Sequence, residues 1–194
     1  MNQVFPIGLR LQGRACLVVG SSAEAAERTR ALLEAGARVR LVAPLPSAEV
    51  LALPEADALE RCWRQPIEQD VEARWLVVLA DRDAELAARL EAACEARQTF
   101  FCAIDQPAGA SFFHMALVRA GEVTVAISTA GTAPALGRRL RQELARLFDE
   151  ARLGDYAAQV ARLRERLDPL ARKTVLTDKL RGVKLTGKLL LPEL

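Results

Sequence analysis

Two spacings of apolar residues alternate along this chain and divide it into elements. Cys16-Leu17-Val18-Val19 is an unbroken apolar run, the pattern of a short strand buried on both faces of a parallel sheet, and Gly20 follows where the chain must turn. Beyond Ser21 and Ser22, both good N-caps, Ala25, Thr29, Leu32, Leu33 and Gly36 recur every three or four residues and predict one buried helix face. Gly36 is free to take the left-handed conformation that ends a helix. Val39, Leu41 and Val42 then alternate with Arg38 and Arg40 as a second strand that stops at Pro44. Strand, turn, helix and strand in direct succession make the mononucleotide-binding half of a Rossmann fold.

The same reading continues downstream. A weak helix at 47–53 precedes a strand at 59–64, with Trp63 as a packing residue, and residues 75–80 form an apolar strand central to the sheet. Asp83 is placed to cap a helix over 84–97 that turns Leu86, Leu90 and Ala93 inward, and a fifth strand covers 100–104. After a boundary near 107–111 the period changes. Residues 111–119 and 122–128 predict two antiparallel strands joined at Ala120-Gly121. Thr132 then caps a helix that carries Pro134 in its first turn and runs toward Glu150, and two helices follow at 155–167 and 169–181 before an apolar tail at 185–194. The expected architecture is α/β: a Rossmann-type parallel sheet at 1–110, a small antiparallel unit at 111–150 and a helical domain at 151–194.

Composition narrows the class. The chain has 194 residues, a 51% hydrophobic share and a net charge of +2. No run approaches the roughly 18 apolar residues of a membrane span, and the first residues lack the basic-then-apolar order of a secretory signal. Cys16, Cys62, Cys94 and Cys102 form no CxxC pair and read as small buried hydrophobes of a reduced, cytoplasmic protein, which leaves no zinc site. Residues 151–194 hold ten Lys/Arg against five acids, a balance of +5. That surplus is either a solvated helical face or a surface that attracts a polyanion. Neither a nucleic acid nor a membrane is expected as partner.

Candidate chemistry sits at three places. The turn Gly20-Ser21-Ser22-Ala23 offers amides and hydroxyls to a dinucleotide phosphate, although Ser22 occupies the middle position where the G-x-G-x-x-G fingerprint has glycine, and no acid ends the second strand. Asp105 ends the fifth strand, where ligands of open α/β sheets bind; the other reading is a turn residue before proline. Ser128-Thr129-Ala130-Gly131-Thr132 precedes a helix that carries Arg138, Arg139 and Arg141, and is either a seat for carboxylate or phosphate oxygens or an ordinary capped start. His114, the single histidine, either delivers metal or relays protons, or is simply a packed or exposed ring.

In order and spacing, FPIGLRLQGRACLVVG, AERTRALLEAGARVRLVAP, FFCAIDQPAGASFF and RAGEVTVAISTAGTAPALGRRLRQEL resemble the precorrin-2 dehydrogenase and sirohydrochlorin ferrochelatase family, the N-terminal part of siroheme synthase. The resemblance implies an NAD-binding Rossmann domain, a strand pair that joins two subunits as a homodimer, and a tetrapyrrole polycarboxylate as substrate. It also implies two activities, oxidation of precorrin-2 with NAD and insertion of ferrous iron, itself a substrate. Carried over by position, Asp105 is the general acid/base and a transient metal contact; His114 is a catalytic candidate only as the sole imidazole, not by the resemblance. Gly20, Ser21, Ser22, Ala23, Pro44 and Asp81 hold the cofactor, and Ser128, Thr129, Gly131, Thr132 and Arg138 hold the substrate. Ser22, the stretch Ala80-Asp81-Arg82-Asp83 and Cys102-Ala103 depart from the family pattern along the nicotinamide path. They leave open a protein that chelates, or only binds, a tetrapyrrole without NAD. An unrelated Rossmann-type dehydrogenase is the remaining alternative.

Overall fold

The apolar run before Gly20 forms β1 (Ala15–Val19), and the three-and-four spacing after it forms α1 (Ala23–Glu34), whose Ala25, Ala26, Thr29 and Leu32 are buried. β2 (Arg38–Val42), the one-turn helix α2 (Ala48–Leu51), β3 (Leu59–Cys62), β4 (Leu76–Leu79), α3 (Ala84–Glu95) and β5 (Phe100–Ala103) follow. The structure, a computed structural model, describes residues 5–106, 109–187 and 189–191. Pro107, part of the expected domain boundary, lies outside the described residues. The chain divides between His114 and Met115 into two compact units.

In the first unit the strands pair in parallel in the order β3-β2-β1-β4-β5. Strand side chains alternate between the two faces, so Cys16 and Val18 join one apolar cluster with Ala25, Ala26 and Leu32 of α1, while Leu17 and Val19 join another with Ala87 and Leu90 of α3. Both faces are therefore covered. The chain leaves β1 in one direction for β2 and β3 and returns past it to β4 and β5. The β1/β4 junction is the switch point where such sheets leave a crevice at their carboxyl ends.

The second unit pairs β6 (Ala116–Ala120) with β7 (Val123–Ile127) as an antiparallel ribbon, followed by α4 (Pro134–Glu150), α5 (Leu153–Arg166) and α6 (Arg172–Lys179). Val118 and Ala120 are its buried hydrophobic residues among those described, and α5 and α6 bury none.

Four expectations are corrected. The strand expected over 111–119 begins only at Ala116, because Ser111 is tied to β5: its hydroxyl accepts from the Phe101 N–H at 2.8 Å and its own N–H donates to the Phe101 carbonyl at 2.8 Å. His114 therefore lies in a loop. Thr132 does not cap α4. Its hydroxyl donates to the Thr129 carbonyl at 2.6 Å, and Ala133 takes the cap position without a side-chain bond. Ser22 does occupy the N-cap of α1, but its hydroxyl caps nothing. Trp63 is not packed: it is 45% exposed just beyond β3.

Candidate active site at the carboxyl ends of the strands

Gly20 leaves β1 with φ +148°, and a Cβ there would stand 3.0 Å from Asp81 Oδ1 and 3.1 Å from the Ala80 Cβ. Only glycine lets the chain turn this close to the end of β4. Asp81 fixes the turn by accepting from the Ser21 N–H at 2.8 Å, and the Ser21 carbonyl accepts from the Ser47 N–H at 2.9 Å. This ties the loop after β2, which contains Pro44, to the same turn. The Ser22 hydroxyl is buried with no hydrogen-bond partner among the described residues. The residue itself lines a cleft of about 490 Å³ with Glu24, Ala80, Asp81, Arg82, Ile104 and Asp105.

Asp105 enters that cleft from β5. Its backbone has φ +59°, a conformation that non-glycine residues adopt uncommonly, and the turn is closed by the Gln106 N–H donating to the Ala103 carbonyl at 3.2 Å. Its carboxylate pairs with Arg82; the two side chains are 59% and 79% exposed. Such a pair is held weakly and exchanges readily.

These residues fit a dinucleotide in one respect: Ser22, at the position where backbone and phosphate meet, carries a hydroxyl with no hydrogen-bond partner among the described residues. The first amides of α1 add the partial positive charge of a helix start.

The structure thus brings Ser22, Asp81 and Asp105 to one cleft, with Gly20 and Ser21 forming the turn behind it. Ala23 is exposed at the start of α1, and Pro44 stands at the end of β2, outside the cleft lining. His114 packs edge-on against Phe112, ring centroids 5.4 Å apart. Desolvation first, and the Arg28 guanidinium second, push its imidazole down, to about 4. The residue surface is exposed, so solvent moderates that depression. The direction stands, and leaves the ring neutral near pH 7. Desolvation also pushes the Cys102 thiol of β5 up to about 11, which keeps it from acting as a thiolate. Two residues that the sequence reading did not place in a site line this region, Arg82 and Gln106. The charged triplet Asp81-Arg82-Asp83 directly after an apolar strand was the available signal for the first.

In the second unit, the loop after β7 is built by local bonds. Ser128 Oγ accepts from the Ala130 N–H at 3.1 Å, and Ala130 and Gly131 both have positive φ. A Cβ on Gly137, buried in α4, would stand 3.6 Å from Thr129 Cγ2, so the loop folds back over the helix it precedes. Ser128, Gly131, Thr132 and Arg138 are exposed, and Arg139 pairs with Glu143 at 2.6 Å.

A doubly wound parallel sheet with a glycine turn at its switch point and carboxylates at its strand ends defines a Rossmann-type dinucleotide-binding protein. The chain belongs to the family described as "Putative NAD(P)-binding", whose model matches residues 7–116, and residues 121–147 match the central segment of sirohaem biosynthesis proteins. It is 36% identical over 156 residues to a siroheme synthase of Thioalkalivibrio sulfidiphilus, covering 80% of this chain and 32% of that protein. It is 33% identical to siroheme synthase 1 of Aeromonas hydrophila, covering 87% and 37%. A siroheme synthase of Escherichia coli is 34% identical, covering 84% and 35%. The chain thus spans about a third of the length of these curated relatives. In three dimensions it matches the structure of SirC, precorrin-2 dehydrogenase, with a TM-score of 0.79 at 23% identity over 92% of this chain and 90% of that one. The resemblance to siroheme synthases read from the motifs, and the Rossmann-type architecture with its antiparallel ribbon and helical end, are therefore shown.

Proposed function

We propose that this chain acts in siroheme biosynthesis as a precorrin-2 dehydrogenase that also inserts ferrous iron into sirohydrochlorin. The observation that carries the reading is one cleft lined by both Ser22 of the glycine turn and Asp105 of the strand end, on a chain that also contains the sirohaem segment at 121–147. NAD, when bound, supplies hydride acceptance. Gly20, Ser21, Ser22 and Ala23 would hold its phosphates, with Pro44 and Asp81 shaping the loops around it. Asp105 takes the proton that leaves the substrate in the oxidation. In the second reaction, iron entry displaces the two pyrrole protons, and Asp105 accepts a proton and touches the metal in passing. The neutral His114 imidazole is a second proton acceptor. The exposed hydroxyls and amides from Ser128 to Thr132, with Arg138, meet the carboxylates of the tetrapyrrole.

The protein works as a homodimer in this reading. A unit with two buried hydrophobic residues among those described, and a two-stranded ribbon open at both edges, lacks the core that sustains an independent fold. A second copy covers it.

A chelatase that no longer uses NAD is the second reading. It is favoured by one observation: the Asp81 carboxylate occupies the Ser21 N–H and brings negative charge to the turn that phosphates would approach.

Anaerobic incubation with precorrin-2 and NAD, followed by visible spectroscopy, decides between the two. Appearance of sirohydrochlorin supports the first. Siroheme formed from added sirohydrochlorin and ferrous iron, without that oxidation, supports the second, and failure of both activities overturns the enzyme reading. Asp105→Asn is expected to lower turnover by roughly 10²–10⁴ while substrate binding stays within a few-fold.

A further inference from the structure

The Arg82–Asp105 ion pair has two sides. One faces the cleft of the glycine turn. The other faces a second cleft of about 480 Å³, whose lining is completed by Ala84 and Gln106. Gln106 is one of the residues that line this second cleft, and its amide nitrogen is buried with no hydrogen-bond partner among the described residues. A buried donor without a partner is unfavourable, and points to an acceptor that arrives with a ligand. An amide can turn either its nitrogen or its oxygen to such a space; an anion selects the nitrogen. Arg82 is the cation beside it. Its carboxylate partner, Asp105, is itself exposed and projected by a turn closed through Ala103 and Gln106, so one backbone feature sets the positions of Asp105 and Gln106 together.

We propose that Arg82 and Gln106 form a carboxylate-binding subsite, and that Arg82 exchanges Asp105 for a ligand carboxylate, releasing Asp105 to handle protons. The subsite rests on the reading of this protein as one that binds a tetrapyrrole polycarboxylate. In the free protein Arg82 neutralises Asp105 and bridges the boundary of the two clefts. In the complex the guanidinium grips the incoming carboxylate in a charge-assisted bond, and the Gln106 amide turns into the cleft so that its N–H gains the acceptor it lacks. No bond in the ligand changes in this step. Arg82 is thus a binding and positioning residue.

The test is a titration of the full chain with sirohydrochlorin, without NAD or iron, in five variants whose far-UV circular dichroism is checked first. Arg82→Gln is expected to weaken binding about ten-fold, with Arg82→Lys recovering part of the loss because it keeps the charge without the fork. Gln106→Ala is expected to weaken it by about three-fold. Asp105→Asn is expected to tighten binding about two- to five-fold, since Arg82 no longer has to leave a carboxylate. That gain must vanish when Asp105→Asn is combined with Arg82→Gln, a coupling that a merely structural arginine would not produce. Arg82→Gln binding as tightly as the wild type, or an Asp105→Asn gain that survives without Arg82, overturns the proposal. If the wild type does not bind sirohydrochlorin, the tetrapyrrole reading fails by itself. The same variants titrated calorimetrically with benzene-1,3,5-tricarboxylate then decide the subsite: the same order of affinities supports it, and absent or Arg82-independent binding overturns it.

Discussion

Gly20 and Asp70 show how single residues carry the architecture. Gly20 has both a positive φ and a neighbour that fills the space of a Cβ, so Gly20→Ala is expected to cost about 1–3 kcal/mol in urea unfolding and to abolish NAD binding measured by fluorescence. Asp70, 1% exposed, accepts two bonds from the Arg64 fork, at 2.8 and 2.5 Å, and one from the Ile67 N–H at 3.0 Å. Burial alone pushes its carboxyl up, but Arg64, the Ile67 amide and Arg40 together outweigh it and hold the carboxyl below its ordinary value. A depressed folded-state pKa adds stability that is present above the unfolded value of about 3.9 and is lost as pH falls through the folded one. Asp70→Asn is therefore expected to cost about 1–3 kcal/mol at neutral pH. The difference from wild type should shrink below about pH 3.9, read from urea midpoints across the acid range.

At the scale of elements, short helices and strands are fixed by their ends. Asp83 Oδ1 accepts from the Leu86 N–H at 2.9 Å and starts α3 directly behind the strand-end charges, so the cap also sets where Arg82 leaves the chain. Asp83→Ala is expected to lower stability by about 1 kcal/mol, measured by thermal unfolding, through the orphaned amides of the first turn. α4 behaves differently. Its expected hydroxyl cap is spent within the preceding loop, and Pro134 at the first position supplies the preset φ and needs no N–H partner, so the helix starts without a side-chain cap.

The whole molecule joins a self-sufficient sheet, covered by helices on both faces, to a unit with little buried apolar surface of its own. Leu117 of β6, 40% exposed, stands on that ribbon. Leu117→Glu is expected to halve the mass seen by light scattering at micromolar concentration and, because the uncovered unit has little core of its own, to weaken the circular dichroism of the protein. An unchanged mass would place the subunit contact elsewhere or remove it. No helix among the described residues is long and apolar enough to cross a membrane.

The sequence by itself determined the parallel sheet, the position of its glycine turn and the antiparallel ribbon. Each rests on a local period: the unbroken runs of β1 and β4, the alternation of β2 and β7, and a glycine where the chain reverses. It also placed Asp105 at a strand end. Tertiary structure alone decided which side chains meet there. Asp81 and Ser21 are sixty residues apart and touch only because β4 lies beside β1, and Arg82 reaches Asp105 only because β5 lies beside β4. The bond of Ser111 to Phe101, which shortened the expected strand, likewise joins residues that the fold and not the local period brings together. Local spacing encodes the direction in which a side chain leaves its element; what it meets depends on strand order, which no local period carries.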